Sequence, residues 1–243
     1  MSLLKIPFIV GSAIGVYVSF TSSAPPPSPG EFVEPPAFET FMTWPLRRLG
    51  RMGIDTKKVF VWATSFAEVA SILATHINSS QLPEGTYGAR ALQLIRSLHP
   101  TPITPAFIAG SLAFIIGGVI RRYCVVTLGK RWSWPISVRK DHTLVTNGPY
   151  SFVRHPSYTG FIVQYIGLVV MYGHRESWLR QSGFLQVPFV KIISATGFYA
   201  FTLGTFICII RPAVEDKMLR SALGKEWEDW AKKVKYRLLP GVY

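Results

Sequence analysis

The sequence predicts an all-α, polytopic integral membrane protein with about five transmembrane helices. Of its 243 residues, 49% are hydrophobic and only 16% are charged, whereas about a quarter of an ordinary soluble domain is charged. Uncharged stretches of about 20 residues recur along the chain, and that length crosses a bilayer core about 30 Å thick. The 14% aromatic content excludes a disordered chain, and two cysteines, Cys124 and Cys208, are too few for a disulfide scaffold.

Five segments are expected to span the membrane. Four are uncharged or nearly so: Ile6 to Ala24, Pro100 to Ile120, His155 to Gly173 and Ile192 to Ile210. The fifth, Val59 to about Ser79, contains Glu68 and His76, which are either a functional pair at membrane depth or a structural feature. A cleaved signal peptide is the alternative for the first segment, because Lys5 precedes it and small residues follow it at Ser22 to Ala24.

The cations predict the orientation of these spans. The successive loops hold five, two, seven, three and eight Lys and Arg residues, with Lys57 in the first count and Arg121 in the third. Because cytoplasmic loops collect cations, the N-terminus is expected to be lumenal and the C-terminus cytosolic. The third loop and the tail then form a pocket facing the cytosol. The net charge of +13 fits loops on anionic lipid, so no nucleic-acid partner is expected.

Three regions follow from this organisation. Residues 1–56 hold the first span, a proline-rich linker and a segment, Phe38 to Met52, that is either an interfacial helix or an ordinary loop. Residues 57–120 hold spans two and three. Residues 121–243 hold spans four and five and a C-terminal cytosolic helix. Glycines on the first and third spans predict close helix contacts: Gly11, Gly15, Gly117 and Gly118.

The chemically densest segment reads DHTLVTNGPYSFVRHPSYTG, from Asp141 to Gly160. Pro156 favours the first turn of a helix that begins near His155, and a helix N-terminus at the water boundary attracts anions. Singly, Tyr150, Arg154 and Tyr158 are ordinary interfacial residues. Together they predict a functional site.

A second cluster, RPAVEDKMLRSALGKEWEDW, follows the last span from Arg211 to Trp230. Pro212 suits the first position of a new helix, and Arg211 and Glu215 lie four residues apart, so they share a helix face. An apolar stripe then predicts a helix lying against the membrane, which Leu239 and Pro240 end: Leu219, Leu223, Trp227 and Trp230.

In their order and spacing, HTLVT, Tyr150, RHPSY, Gly160, Arg211, Glu215 and Asp216 resemble the isoprenylcysteine carboxyl methyltransferase family, over roughly Arg121 to Pro240. The resemblance implies a membrane enzyme of the endoplasmic reticulum that uses S-adenosylmethionine to methylate the C-terminal carboxylate of prenylated cysteine. Its partners would be CaaX-processed proteins such as Ras-like GTPases, and membrane lipid.

The resemblance also implies site residues. The cofactor would be bound by His142, Thr143, Leu144, Val145, Tyr150, His155, Pro156, Ser157, Tyr158 and Glu215. Arg211 and Glu215 would be catalytic, with Arg211 contacting the substrate carboxylate and Arg154 as a further substrate-binding candidate. This chain has Pro135 where the family often has a side-chain amide that contacts the cofactor, so that contact does not carry over.

This chemistry needs no general base, because a carboxylate is ionised near neutral pH. A guanidinium holds a carboxylate through a fork of donors, which suits Arg211, and Glu215 either orients Arg211 or accepts a hydrogen bond from the cofactor. Because a prenyl chain is apolar, we expect a tunnel between the spans that opens to the lipid. No metal site is expected, since neither cysteine has ligand spacing. Two other functions stay open: a phospholipid (phosphatidylethanolamine) N-methyltransferase, and a non-catalytic transporter or scaffold.

Overall fold

The computed structural model describes residues 3–35, 37–47, 52–77, 87–139 and 143–243, and their regular structure is helical apart from one antiparallel bridge between Phe32 and Ser137. The α-helices of these parts are α1 (Lys5–Ser19), α2 (Ala37–Arg47), α3 (Met52–Ala74), α4 (Tyr87–Arg96), α5 (Pro105–Leu128), α6 (Pro156–Gly173), α7 (Trp178–Gln181), α8 (Pro188–Leu223) and α9 (Lys225–Lys233). The all-α prediction is therefore confirmed for the described residues.

Each of the five predicted spans falls on a helix, although the bounds differ. Among the described residues, two helices are long and apolar enough to cross a membrane: Pro105–Arg131 and Pro188–Leu223. α1 is a shorter apolar helix that ends at Ser19, five residues before the predicted end. The number of membrane crossings therefore stays a prediction beyond these two helices.

Helices α1, α5 and α6 pack closely through glycines, as their positions predict. A Cβ atom on Gly118 would lie 2.5 Å from the carbonyl oxygen of Gly15, and one on Gly117 would lie 2.5 Å from that of Gly160. The three backbones therefore approach to a distance that only glycine allows. This contact places the start of α6 beside the C-terminal half of α5, where the candidate site lies.

Large apolar side chains point away from the core on the outer faces of the helices. On α5 they recur every three or four residues and so form one face: Ile108, Leu112, Ile116, Val119, Tyr123 and Val126. On α8 they include Phe189, Ile192, Tyr199, Phe206 and Ile209. Soluble monomers rarely expose apolar surface on this scale, and lipid contact explains it.

Glu68 has a structural role in this fold. Its carboxylate lies 2.6 Å from the Lys5 ammonium, and that ammonium also donates to the Thr101 hydroxyl at 2.9 Å. Lys5 and Glu68 are buried, so this ion pair joins α1 to α3 in an apolar setting. The His76 ring lies 3.0 Å from the Ile72 carbonyl, away from that pair. The structural alternative for Glu68 is thus the one observed.

The C-terminal region corrects two expectations. Pro212 does not begin a new helix, because α8 runs without a break from Pro188 to Leu223 with Pro212 inside it. Proline removes only one backbone hydrogen bond, and apolar helices tolerate that loss. The stripe from Leu219 to Trp230 is not one helix either, since Gly224 (φ 55°) separates α8 from α9.

The proline-rich linker packs on the loop that follows α5. Val33 donates its backbone N–H to Ile136, and Val138 donates to Glu31, both at 2.9 Å. The Arg139 guanidinium donates to the Pro25 carbonyl at 2.6 Å. The linker leads into α2 (Ala37–Arg47), so of the two alternatives for Phe38 to Met52 a helix is observed up to Arg47, and residues 48–51 lie outside the described part of the chain. These contacts hold the loop over the cavity described next.

Candidate active site

A cavity of about 290 Å³ lies where the loop after α5, the start of α6 and the middle of α8 meet. Ten residues predicted from the sequence line it: Thr143, Leu144, Val145, Tyr150, Arg154, His155, Ser157, Tyr158, Arg211 and Glu215. Pro156 is the first residue of α6 and is not among the lining residues. His142 lies outside the described residues. Described residues of the third loop and of the C-terminal region thus line one cavity.

Asp216 is the hub that joins the start of α6 to the C-terminal tail. Its carboxylate lies 2.9 Å from His155 Nε2, 3.0 Å from Arg154 Nη2 and 2.8 Å from Arg237 Nε. Burial alone would favour the neutral acid, but the hydrogen bonds from His155, Arg237 and Arg154 lower the pKa of Asp216 to about 2. Asp216 lies past the apolar part of α8, which ends at Ile210.

The tail continues this connection through its backbone. The N–H groups of Arg154 and His155 donate to the Tyr236 and Arg237 carbonyls at 2.9 and 2.8 Å. Arg154 Nη1 donates to the Val234 and Lys235 carbonyls at 2.9 and 2.7 Å. The Arg154 guanidinium is therefore occupied by Asp216 and the tail, and its substrate contact stays a prediction.

Glu215 lies between three groups of the cavity wall. It accepts a short hydrogen bond from the Tyr158 hydroxyl, and its carboxylate lies 3.3 Å from His155 Nδ1 and 4.0 Å from Arg211 Nε. The His155 ring thus lies between the carboxylates of Glu215 and Asp216.

Arg211 is anchored on both sides. Its Nη2 lies 2.8 Å from the Glu39 carboxylate of α2, and its Nη1 donates to the Trp134 carbonyl at 3.0 Å. The ion pair with Glu215, four residues on, was expected from the sequence and is present at 4.0 Å. Glu39 was not expected, because nothing in the sequence relates it to a residue 172 positions away.

Two buried cations, Arg121 and Lys57, also line the cavity, and the sequence motifs did not assign them to it. Arg121 is 3% exposed and Lys57 is 7% exposed, yet both had been counted as loop cations. Arg121 Nη1 donates to the Ser157 carbonyl at 3.0 Å and hydroxyl at 3.2 Å, and its Nε donates to the Ser19 carbonyl at 3.3 Å. A charge count along the chain cannot separate a buried arginine at a helix end from a loop arginine.

Aromatic rings form much of the remaining wall, with Phe20, Trp132, Trp134, Phe161 and Trp230 among them. Trp230 was expected against the membrane but is 7% exposed and packs with Trp132 and Tyr150. The buried indole N–H groups of Trp132 and Trp230 have no hydrogen-bond partner within the described residues. Indole donors and the Glu215 carboxylate in the wall of one cavity suit a ligand that carries ring nitrogens and hydroxyl groups.

An apolar groove adjoins the cavity between α2 and α8. Its lining is Phe38, Glu39, Phe206, Ile207, Ile210, Arg211 and Val214. Ile207 and Arg211 line both the groove and the cavity. The groove is therefore placed to hold an apolar chain whose polar end lies at Arg211.

Cys208 also lines the cavity, while Cys124 is fully buried beside Val125 and Trp132. Both thiols are free. The expectation that the cysteines serve packing fits Cys124, and Cys208 additionally forms part of the cavity wall.

Part of the chain that lines this cavity is similar to known proteins. Residues 109–180 match the model of the Isoprenylcysteine carboxyl methyltransferase (ICMT) family. The chain is 32% identical over 127 residues to a probable protein-S-isoprenylcysteine O-methyltransferase of Oryza sativa subsp. indica, which covers 51% of this chain and 56% of the relative. It is 38% identical over 64 residues to protein-S-isoprenylcysteine O-methyltransferase B of Arabidopsis thaliana, covering 26% and 32%.

A protein-S-isoprenylcysteine O-methyltransferase of Rattus norvegicus is 31% identical over 128 residues, covering 52% of this chain and 38% of the relative. The chain thus spans about half the length, or less, of these curated relatives. The matched region includes the end of α5, the loop and the start of α6, where the cavity lies. Over this region the chain is similar to the isoprenylcysteine carboxyl methyltransferase family.

Proposed function

We propose that this chain transfers a methyl group from S-adenosylmethionine to the C-terminal carboxylate of a prenylated cysteine, forming a methyl ester. The observation that carries the proposal is that one cavity collects ten predicted site residues and shares Arg211 and Ile207 with an apolar groove. A polar acceptor with a long apolar tail fits this pairing of sites.

The residues of the cavity act mainly by positioning. When bound, S-adenosylmethionine would supply an activated methyl group on its sulfonium, with a neutral thioether as the leaving group once the carboxylate oxygen bonds to the methyl carbon. The acceptor is already ionised, so no side chain has to remove a proton. Holding the reacting groups in line can lower the activation free energy by about 7 to 11 kcal/mol. Arg211, fixed by Trp134 and Glu39, contacts the carboxylate and sets its direction.

The cofactor is held by the loop and the first turn of α6. Thr143, Leu144 and Val145 offer backbone and side-chain contacts, with His142 directly before them. Tyr150 and Tyr158 supply ring faces, which attract a cation by about 0.5 to 2 kcal/mol. His155, Ser157 and Glu215 complete the polar wall, with Pro156 fixing the start of the helix. The buried indole donors of Trp132 and Trp230 extend this set.

The prenyl chain occupies the groove between α2 and α8. Moving such a chain into water costs about 0.8 kcal/mol for each CH₂ unit, so entry from the bilayer is favoured over entry from the cytosol. The groove walls Phe206 and Ile210 are at least partly exposed on the outer face of α8, where lipid would lie. Prenylated proteins such as Ras-like GTPases are the proposed partners, since their C-terminal cysteine carries this group.

The protein is integral to the endoplasmic reticulum membrane, with a lumenal N-terminus and a cytosolic C-terminus. The alternation of cationic loops supports this orientation, and the exposed apolar faces of α5 and α8 support membrane insertion. Residues 1–56, 57–120 and 121–243 keep the regional roles expected from the sequence, with catalysis in the last of them.

The direct test is transfer of labelled methyl from S-adenosylmethionine to N-acetyl-S-farnesylcysteine by the purified full chain. The labelled product should be base-labile, as an ester is. Labelling of phosphatidylethanolamine instead would support the phospholipid alternative. Failure to bind S-adenosylhomocysteine in calorimetry would support a non-catalytic transporter or scaffold.

A further inference from the structure

Arg121 is a buried cation at the cavity that forms no ion pair with any described carboxylate. Its donors Nε and Nη1 reach only neutral oxygens, those of Ser19 and Ser157, and Nη2 has no hydrogen-bond partner among the described residues. A buried charge without a counter-charge is costly, and proteins usually pair or neutralise it. Here the missing counter-charge points to a ligand.

The position of Arg121 is fixed by its surroundings. Its guanidinium carbon lies 5.3 to 5.9 Å from the ring centroids of Phe161, Phe20, Trp134 and Trp132. The absence of a side chain at Gly160 makes room for its stem, since a Cβ there would lie 2.9 Å from Arg121 Cγ. The aromatic surroundings lower the local dielectric, so an anion that reaches this guanidinium interacts strongly with it.

Arg211 alone leaves the substrate charge poorly compensated. The carboxylates of Glu39 and Glu215 lie 2.8 and 4.0 Å from its guanidinium, so an approaching anion meets two negative charges there. Trp134 connects the two arginines, because its carbonyl accepts from Arg211 and its ring faces Arg121. Lys57 adds a further positive charge on this side, 5.6 Å from the same Phe20 ring.

We infer that Arg121 binds the carboxylate of the methyl-accepting substrate as a second guanidinium beside Arg211. The inference rests on the proposed function and adds a substrate-binding residue to it. The residues near Arg121 favour the acceptor, because Phe20, Phe161 and Cys208 form an apolar end of the cavity suited to the thioether of a prenylcysteine. The α-carboxylate of the methyl donor offers the same chemistry, and the experiment separates the two.

The test compares binding of N-acetyl-S-farnesylcysteine with binding of its carboxamide, which lacks the negative charge. Calorimetry on the detergent-purified full chain, saturated with S-adenosylhomocysteine, gives both dissociation constants. The variants are Arg121→Met, whose side chain suits an aromatic setting, and Arg121→Gln, which can keep a hydrogen bond to Ser157. Arg122→Gln is the matched control, since Arg122 is the exposed neighbour on the same helix.

The wild type and Arg122→Gln should prefer the acid over the amide. Both Arg121 variants should reduce that preference by about 10- to 100-fold, as expected for a lost hydrogen-bonded charge pair, while S-adenosylhomocysteine affinity stays unchanged. The inference is overturned if a variant that binds S-adenosylhomocysteine keeps the preference for the acid. It is also overturned if S-adenosylhomocysteine affinity falls and the preference persists, because Arg121 would then hold the donor.

A purely structural role for Arg121 gives a different pattern. Loss of a tether between Ser19 and Ser157 would weaken binding of the acid and the amide by the same factor and lower the melting temperature. Failure of the proposed function is distinguishable as well, since the wild type itself would then neither methylate nor bind the acid. If Arg121→Met fails to fold, Arg121→Gln carries the comparison.

Discussion

Arg211 makes polar contacts that a lysine cannot reproduce together. Its Nη1 and Nη2 reach the Trp134 carbonyl and the Glu39 carboxylate in fixed directions, leaving Nε on the side of Glu215. An ammonium has one nitrogen on a flexible stem. We therefore expect Arg211→Lys to lower kcat/KM for N-acetyl-S-farnesylcysteine by about 10- to 100-fold in a folded protein.

Arg220→Lys is the control for this prediction, because Arg220 lies on the same helix and its ion pair with Glu228 is exposed. It should leave kcat/KM within about twofold of the wild type, since such pairs contribute little. Near-normal turnover in Arg211→Lys, with S-adenosylhomocysteine binding intact, would contradict the role proposed for Arg211.

Asp216 is expected to matter for stability more than for chemistry. Asp216→Asn removes the negative charge shared by Arg154, His155 and Arg237 and should destabilise the fold by about 3 kcal/mol. The matched change Asp229→Asn removes an exposed pair with Lys232 and should cost no more than about 0.5 kcal/mol. Thermal unfolding in detergent measures the loss of stability in each variant. Equal losses would contradict the role of Asp216 in joining the start of α6 to the C-terminal tail.

The pKa of Asp216 predicts how this contribution depends on pH. The folded-state pKa of about 2 lies below the ordinary value of 3.8, so the carboxylate stabilises the fold above about pH 4. That stability is lost as the pH falls towards 2. The stability difference between wild type and Asp216→Asn should therefore shrink over this interval in pH-resolved unfolding, and a constant difference would contradict the depressed pKa.

At the scale of elements, the contact of α1 with α5 depends on Gly118. A methyl group there would lie 2.5 Å from the Gly15 carbonyl oxygen, which is backbone and cannot move alone. Gly118→Ala gains about 1 kcal/mol of helix propensity, but overpacking costs about 1 to 3 kcal/mol, so we expect a net loss of stability. Gly173→Ala on α6 is the control, because its nearest neighbour is 3.7 Å away. A lower melting temperature for Gly118→Ala alone confirms the contact.

The helices were predictable because apolar runs of membrane length allow few other structures, and each predicted span lies on a helix. Their ends were less predictable. Pro212 has the local features of a helix start, but the packing of α8 against α3 and α6 continues the helix through it. Gly224 is a better local signal for a break, since φ of 55° favours glycine.

The candidate site was predictable where it depends on local motifs and not where it depends on burial. The loop and the start of α6 carry Thr143 to Val145 and His155 to Tyr158 in consecutive order, so one motif locates them together. Arg121 and Glu39 join the site only through tertiary packing, 36 and 172 positions from their partners Ser157 and Arg211. No periodicity or spacing in the sequence encodes that proximity.

For the whole molecule, the outer apolar faces and the groove belong to one arrangement. The exposed side chains of α5 and α8 favour lipid around the bundle, and the groove between α2 and α8 lies on that same outer surface. A substrate with an apolar tail can therefore remain in lipid while its polar end reaches Arg211. The membrane then serves as the medium that supplies the substrate.

Filling the junction of groove and cavity tests this arrangement. Ile207 is half-buried and lines both spaces, so Ile207→Trp should obstruct the prenyl chain and raise KM for N-acetyl-S-farnesylcysteine by about tenfold or more. S-adenosylhomocysteine affinity should change much less, because Ile207 is not among the residues proposed to hold the cofactor. Ile209→Trp places the same ring on the 46% exposed outer face of α8 and should leave both values as in the wild type. If Ile207→Trp instead keeps the wild-type KM while remaining folded, the apolar tail does not pass Ile207 and the groove is not its route.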